Sequence, residues 1–173
     1  MLTFLQSQSM VFKRLQSEVN ILPILKQVAE NWDDFNIQTI RQEEISAQKE
    51  TMEIRVRERS GHHPPHSSNH YECIYFLNWF EKMYGGKIYR AAMSHMPAGG
   101  KVHLHKDGGE YYENKDRFHL GLSGYYDYTV EDETQRFGAG DLFWFNNKKM
   151  HSCINATPIP RISLIFDAEG CTI

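Results

Sequence analysis

The chain has 173 residues and a formal net charge of -3 at pH 7, and 13% of its residues are aromatic. This length predicts one domain with a sizeable core, the aromatic content argues against disorder, and the slightly acidic balance gives no reason to expect a nucleic-acid partner. The three cysteines, Cys73, Cys153 and Cys171, are far apart and form no CxxC pair. They argue against a disulfide framework or a thiolate zinc site and favour reduced thiols in a cytoplasmic protein.

The N-terminal segment is predicted to be helical. Its start, "MLTFLQSQSMVFKRLQ", has no unbroken apolar run and no small-residue cleavage site, so it predicts neither a signal peptide nor a membrane span. In "ILPILKQVAENW" the apolar residues recur at helical spacing, and Pro23 suits a helix start. Residues 1 to about 35 therefore predict helix, and we assign residues 1–45 to a helical part of a single domain that spans residues 1–173.

Three patterns follow before residue 87. "TMEIRVRER" alternates apolar and charged residues, which predicts a half-buried strand with Arg55 and Arg57 facing solvent. "SGHHPPHSSN" predicts a loop, and its prolines favour a mobile loop over a second metal site at His62, His63 and His66. The dense apolar run "ECIYFLNWFEKMYGG" is compatible with helix or strand.

From residue 87 onwards the chain predicts about eight short strands separated by Gly, Asn or Pro. They are "KIYRAAMSHM", "KVHLHKD", "RFHLGLSG", "YYDYTV", "TQRF", "DLFWFN", "MHSCIN" and "RISLIFDA". This spacing is typical of a β-sandwich or jelly roll. We therefore expect a mainly β fold with a core at residues 46–168 and the N-terminal helices packed outside it.

The alternation in "KVHLHKD" predicts that His103, His105 and Asp107 share one face of a strand. His105 and Asp107 can then point to one spot inside a barrel, where His151 at the start of a later strand supplies a third ligand. Two imidazoles and one carboxylate on one side of a metal form the facial triad of non-heme Fe(II) oxygenases. His103 is more simply explained as a barrel-lining histidine with an ordinary hydrogen bond.

Arg161 lies ten residues after His151, at the start of the last apolar strand. A buried arginine is costly unless it meets an anion, and its planar fork can hold a carboxylate with two hydrogen bonds. A dicarboxylate could bind iron at one end and this arginine at the other. 2-Oxoglutarate has that shape.

Four stretches resemble the aspartyl/asparaginyl β-hydroxylase family: "MPAGGKVHLHKDGG", "RFHLGL", "GAGDLFWFNNKKMHSCIN" and "PRISLIFDA". The resemblance covers roughly residues 45 to 168. It implies a cupin-like double-stranded β-helix that uses Fe(II) and 2-oxoglutarate, with His105, Asp107 and His151 as iron ligands. It also implies that Arg161 and Ser94 bind the distal carboxylate of 2-oxoglutarate, and that Arg117 and His119 lie near its metal-chelating end. The loop "NNKK" departs from the acid expected after the aromatic strand.

The implied reaction is hydroxylation of an unactivated C–H by O2, with conversion of 2-oxoglutarate to succinate and CO2. The family name suggests the β-carbon of an Asp or Asn residue in a protein or peptide. The alternatives are a hydroxylase of a free amino acid or other small molecule, a non-catalytic cupin-like binding or sensor barrel, and a metal-dependent isomerase or simple cupin dioxygenase. Arg57 and Arg90 are candidates for gripping an acidic substrate. The tyrosine pairs at 111–112 and 125–126 fit a substrate entrance or simple packing, and Cys153 fits a buried inert thiol.

Overall fold

A computed structural model describes residues 10–36 and 51–173, so the predictions for residues 1–9 and 37–50 lie outside the described parts. Three α-helices occur there, α1 (Leu22–Glu30), α2 (Tyr71–Tyr84) and α3 (Glu110–Glu113), with 3-10 turns at Trp32–Asn36 and Pro65–His70. The strands in these parts are β1 (Phe12–Gln16), β2 (Met52–Arg57), β3 (Lys87–Met96), β4 (Lys101–His105), β5 (Asp116–Ser123), β6 (Tyr125–Val130), β7 (Glu133–Gly138), β8 (Leu142–Phe145), β9 (His151–Ile154) and β10 (Arg161–Glu169). Each of the eight strands predicted after residue 87 is present.

The strands form two antiparallel sheets that face each other. The larger sheet has the order β1-β8-β5-β10-β3-β2, and the smaller has the order β4-β9-β6-β7. The chain passes repeatedly between the sheets, and side chains from both line one internal cavity. This architecture is a cupin-like double-stranded β-helix, and it confirms the predicted mainly β fold class.

The main hydrophobic core lies outside the β-helix, between the large sheet and the helices. Helix α1 begins with Pro23 in its first turn and buries Ile24 and Val28, while α2 buries Cys73, Leu77 and Phe80. These side chains pack on the outward-facing residues of β2, β3, β5 and β10, among them Phe118 and Phe166. A second apolar cluster contains side chains from both sheets, and two of its members, Tyr128 and Phe145, line the internal cavity beside polar groups.

The structure corrects the prediction of helix throughout residues 1 to about 35. Residues Phe12–Gln16 are a strand that pairs with β8 at the edge of the large sheet, so the helical part begins at Leu22. The ambiguous run at 72–86 is helical, and Gly85 ends it with a φ of 69°. Helix fits because residues 73, 77 and 80 form one buried stripe under the large sheet.

Arg57 and His103 also differ from expectation. Arg57 is buried rather than solvent-facing, and it donates to Glu81 and to the carbonyl of Ile88. His103 is exposed and does not line the interior. Both differences arise because the inward and outward alternation of side chains is interrupted. The pairing of β2 with β3 shifts register between Arg55 and Arg57, and the pairing of β4 with β9 shifts between Val102 and His105.

Across residues 10–36 and 51–173, none of the helices combines the length and the apolar character that crossing a lipid bilayer requires.

Candidate metal centre

His105, Asp107 and His151 converge where β4 and β9 meet. His105 is the last residue of β4, His151 is the first of β9, and the two are paired across the strands. Their ring centroids lie 4.3 Å apart. Asp107 follows in the loop after β4, and one possible ligand atom from each residue lies within 4.8 Å of the others. In the described parts of the chain, this is the one group of three such residues close enough to share an ion.

Both imidazoles are oriented by main-chain carbonyl groups. Nδ1 of His105 donates to the carbonyl of His103 at 2.7 Å, and Nδ1 of His151 donates to the carbonyl of Lys149 at 2.9 Å. These bonds leave Nε2 of each ring for the centre of the cluster. Burial, the largest influence, lowers the pKa of His151 to about 4. The ring is therefore neutral near pH 7, as a metal ligand must be.

Asp107 is a buried carboxylate whose Oδ2 atom is held by two donors. Nη1 of Arg117 and Nδ2 of Asn147 both donate to it, the latter at 2.9 Å. Burial alone would raise the pKa of Asp107, but the Arg117 charge and the Asn147 hydrogen bond hold this pKa below its ordinary value. The group therefore carries a negative charge near pH 7.

The cluster opens into a cavity between the sheets, and Arg161 lies in the wall of that cavity. Arg161 is 1% exposed, and its guanidinium lies 4.2 Å from the Tyr126 ring centroid and 5.6 Å from that of Tyr128. None of the ion pairs within residues 10–36 and 51–173 involves Arg161, and its buried Nε has no hydrogen-bond partner there. The other buried arginines, Arg57, Arg90 and Arg117, each pair with an acid. Arg161 is thus an uncompensated cation in a cavity, which suits an anionic ligand.

His119 lies beside Arg161 in the same cavity wall. Its Nδ1 accepts a weak hydrogen bond from Nη2 of Arg161 at 3.4 Å, so the proton of the neutral ring is on Nε2. That Nε2 is buried and has no partner in the described structure. Burial, followed by the Arg161 charge, lowers the pKa of His119 well below its ordinary value. A neutral N–H donor therefore adds to the anion-binding character of this wall.

The comparison with protein families decides the affiliation of the chain. The model of a family described as aspartyl/asparaginyl beta-hydroxylase matches residues 25–170. The chain belongs to this family. The β-hydroxylase family name accords with the resemblance seen in the four sequence stretches. A search of curated proteins found no match.

Several solved structures similar to this β-hydroxylase family member are described as cupins. One is a sugar phosphate isomerase from a cupin superfamily of Silicibacter pomeroyi (TM-score 0.46, 14% identity, 78% of this chain and 68% of that chain). A second is a predicted oxalate decarboxylase of Thermotoga maritima (TM-score 0.44, 16% identity, 69% and 81%). A third is the cupin domain of Schizosaccharomyces pombe Cnp3 (TM-score 0.41, 18% identity, 47% and 56%). The alignment thus spans less than two thirds of the length of that last protein.

Six of the seven predicted site residues of this β-hydroxylase family member line one cavity, and the seventh, Asp107, lies beside His105 and His151. Ser94, Arg117, His119 and Arg161 line it together with His105 and His151. Arg117 has a more specific role than expected, because its donors go to Asp107, Asp167 and the hydroxyl of Tyr112. Arg90 also lines the cavity and donates to Glu53.

The remaining candidates contact other groups of the protein. His63 and His66 form hydrogen bonds with main-chain carbonyls of β2, those of Val56 and Arg55 respectively. His62 forms a hydrogen bond with the hydroxyl of Ser60. Cys153 is buried, and burial raises the pKa of its thiol to about 11, which fits an unreactive thiol. In the tyrosine pairs, Tyr112 and Tyr126 are buried, whereas Tyr125 is exposed. Tyr112 packs against Arg117, and Tyr126 packs against Arg161. These contacts support the packing alternative for the two pairs rather than a shared substrate entrance.

Sequence reasoning did not identify Asn147 or Asp167. Asp167 lies six residues after Arg161 in β10. Because side chains alternate between the two faces of a strand, residues separated by an even number of positions share a face, and both side chains are on the inner one. That signal was available in the sequence. Asn147 belongs to the loop "NNKK", whose departure from the family pattern was visible but whose contact with Asp107 depends on how two loops meet.

Proposed function

We propose that this protein is an Fe(II)- and 2-oxoglutarate-dependent dioxygenase that hydroxylates an unactivated C–H. The preferred target is the β-carbon of an Asp- or Asn-type residue in a protein or peptide. The observation that carries the proposal is the uncompensated Arg161 in the same cavity as the His105, Asp107 and His151 cluster. A metal-binding barrel without an anionic cosubstrate has no need of such an arginine.

The cluster fits a divalent iron ion. His105 and His151 each offer an imidazole nitrogen, and Asp107 offers a charged oxygen, which is the ligand set of non-heme Fe(II) oxygenases. Three protein ligands leave room for a cosubstrate and O2. When bound, Fe(II) with 2-oxoglutarate would supply oxygen activation, coupled to the release of succinate and CO2.

The opposite wall fits the distal carboxylate of 2-oxoglutarate. The planar Arg161 guanidinium can give two parallel hydrogen bonds to a carboxylate. Tyr126 and Tyr128 stack on the guanidinium and restrict its rotation. Ser94 adds a hydroxyl and His119 a free Nε2–H to the same wall. These groups would bind and orient the dicarboxylate, and the aromatic rings would exclude water from its charged end.

A free amino acid is the second candidate substrate. Glu53 and Arg90, with side chains 6% and 2% exposed, both line the cavity and pair with each other at 2.8 Å. A neighbouring carboxylate and guanidinium complement the ammonium and carboxylate groups of an amino acid. Succinate release in the presence of free amino acids, compared with Asp- and Asn-containing peptides, separates the two substrate classes.

The test of the cofactors is an anaerobic titration of metal-free protein with Fe(II) and then 2-oxoglutarate, followed by the visible charge-transfer band of the chelate. We expect the band in the wild type. In Arg161→Met we expect unchanged Fe(II) affinity and a 2-oxoglutarate affinity at least about 30-fold weaker, because a buried charge pair contributes about 2 kcal/mol or more. The matched control is Arg136→Met, which changes an exposed arginine of β7. The proposal is overturned if iron binds without the band, or if both variants bind 2-oxoglutarate like the wild type.

A further inference from the structure

The two oxygens of the Asp107 carboxylate have different surroundings. Oδ2 accepts hydrogen bonds from Arg117 and Asn147, whereas Oδ1 accepts none from the described residues. Each carboxylate oxygen has two lone pairs, so an oxygen that already accepts two hydrogen bonds has none left for a metal. Asp107 can therefore bind an ion through Oδ1 alone.

Asn147 contacts Asp107 twice. Its side-chain Nδ2 donates to Oδ2 of Asp107 at 2.9 Å, and its main-chain carbonyl accepts the N–H of Asp107, also at 2.9 Å. The side chain is 1% exposed, so water does not compete for the contact. Main chain and side chain of one residue thus fix both the position and the rotation of the carboxylate.

The loop that carries Asn147 also orients a second ligand. Residues 146–150 connect β8 to β9, and in this loop the carbonyl of Lys149 accepts the Nδ1 proton of His151. The Asp107 loop and the start of β9 are therefore held by one segment. A displacement of Asn147 would change the geometry of two of the three candidate ligands.

We propose that Asn147 is a positioning residue that keeps Asp107 monodentate, with Oδ1 directed at the metal. This inference rests on the proposed function only in that the cluster must bind a divalent metal. Its chemical consequence is that the protein supplies three ligand atoms rather than four. A bidentate Asp107 would occupy one of the positions that a bidentate cosubstrate and O2 require.

Asn147 is a better probe of this role than Arg117. Arg117 also donates to Asp167 and to the Tyr112 hydroxyl, so its removal would take the nearest cation away from a second buried acid. Among the described residues, the side chain of Asn147 forms a hydrogen bond with Asp107 alone. Substitution there changes the carboxylate with the least disturbance elsewhere.

The test uses the full chain, Co²⁺ as the metal probe, and the variants Asn147→Ala and Asn147→Leu. We expect Co²⁺ affinity to fall about 10- to 100-fold in both variants, the usual cost of losing an outer-shell partner of a ligand. We also expect the visible Co²⁺ spectrum to change with the coordination number. The matched control, Asn146→Ala, removes a neighbouring amide whose Oδ1 accepts from the Lys148 N–H and which does not contact Asp107. It should keep wild-type affinity and spectrum.

Circular dichroism and unfolding of the metal-free variants separate positioning from folding. Leucine has the same branching at Cγ and the same number of side-chain heavy atoms as asparagine, so it fills the site if the alanine variant is unstable. The inference is overturned if either folded variant binds Co²⁺ within about twofold of the wild type with an unchanged spectrum. If the wild type binds neither Co²⁺ nor Fe(II), the proposed function fails and this inference fails with it.

Discussion

The two faces of the large sheet are both buried, but they differ in what they bury. On β10, Leu164 and Phe166 point outward into the apolar core beneath α1 and α2, whereas Arg161 and Asp167 point inward. The outer face is stabilised by removal of apolar area from water. The inner face depends on the pairing of guanidinium and carboxylate groups. Burial alone therefore does not distinguish a structural residue from a functional one on this sheet. What sets Arg161 apart from the other buried arginines is that no ion pair of the described residues involves it.

The largest effect is expected on the outer face, for Phe166→Ala. Phe166 is fully buried, with ring centroids 4.7 Å from Phe80 and 5.5 Å from Phe118. Loss of a buried phenylalanine costs about 3–5 kcal/mol of the free energy of unfolding. Urea denaturation measures this loss, and Co²⁺ affinity of the folded variant should stay near that of the wild type. A variant with wild-type stability but weakened metal binding would break the proposed division between the faces.

On the inner face, we expect replacement of Arg117 by Met to lower the free energy of unfolding much more than replacement of Arg161 by Met. Arg117→Met leaves the buried Asp107 without a cation and leaves Asp167 with Arg90 alone, at 4.0 Å, and removing one partner of a buried pair costs about 3–5 kcal/mol. Arg161→Met removes a cation that has no acid partner in the described structure, so the free energy of unfolding of metal-free protein should change by no more than about 1 kcal/mol. Urea denaturation of both variants in parallel provides the measurement. Equal losses would mean that Arg161 has a structural role comparable to that of Arg117.

A smaller effect concerns the pH dependence of stability. The pKa of His119 is held well below its ordinary value by burial and by the Arg161 charge. Below about pH 6.5 the unfolded chain binds a proton at this histidine, whereas the folded chain does not. The contribution of His119 to the free energy of unfolding is therefore complete above that pH and is lost as the pH decreases, by at most about 1.4 kcal/mol per pH unit.

His119→Phe should therefore make the stability of the metal-free protein less dependent on pH between about 6.5 and 5, the range just below the ordinary histidine pKa. The ring already packs against Tyr128, Phe143 and Phe145, so phenylalanine suits the site. Denaturation at several pH values measures the slope, and His103→Phe, at an exposed position, is the control. An unchanged slope in His119→Phe would show that this ring is protonated equally in both states.

Local signals predicted most of the second half of the chain. Period-two alternation with Gly, Asn and Pro boundaries located the strands from β3 to β10. The residue types at 105, 107, 151 and 161 predicted which side chains would meet. These signals suffice because in a double-stranded β-helix the inward residues of each strand face one cavity.

The features that were missed depend on contacts distant in sequence. β1 is defined by pairing with β8, more than a hundred residues away, and "FKRLQ" alone does not distinguish a strand from a helix. The burial of Arg57 and the exposure of His103 follow register shifts that no alternation pattern predicts. The contact of Asn147 with Asp107 joins two loops, and loop geometry has no periodic signature.

The main-chain hydrogen bonds to His105 and His151 have a consequence for how this site can evolve. The groups that aim the two rings are the carbonyls of residues 103 and 149, and every amino acid carries such a carbonyl. Mutations at 103 and 149 can therefore accumulate without altering ring orientation. Positions 117 and 147 act through their side chains and lack that freedom. In a family of such proteins, the positions that neighbour the ligands in sequence would drift, while a distant arginine and a loop asparagine would be retained.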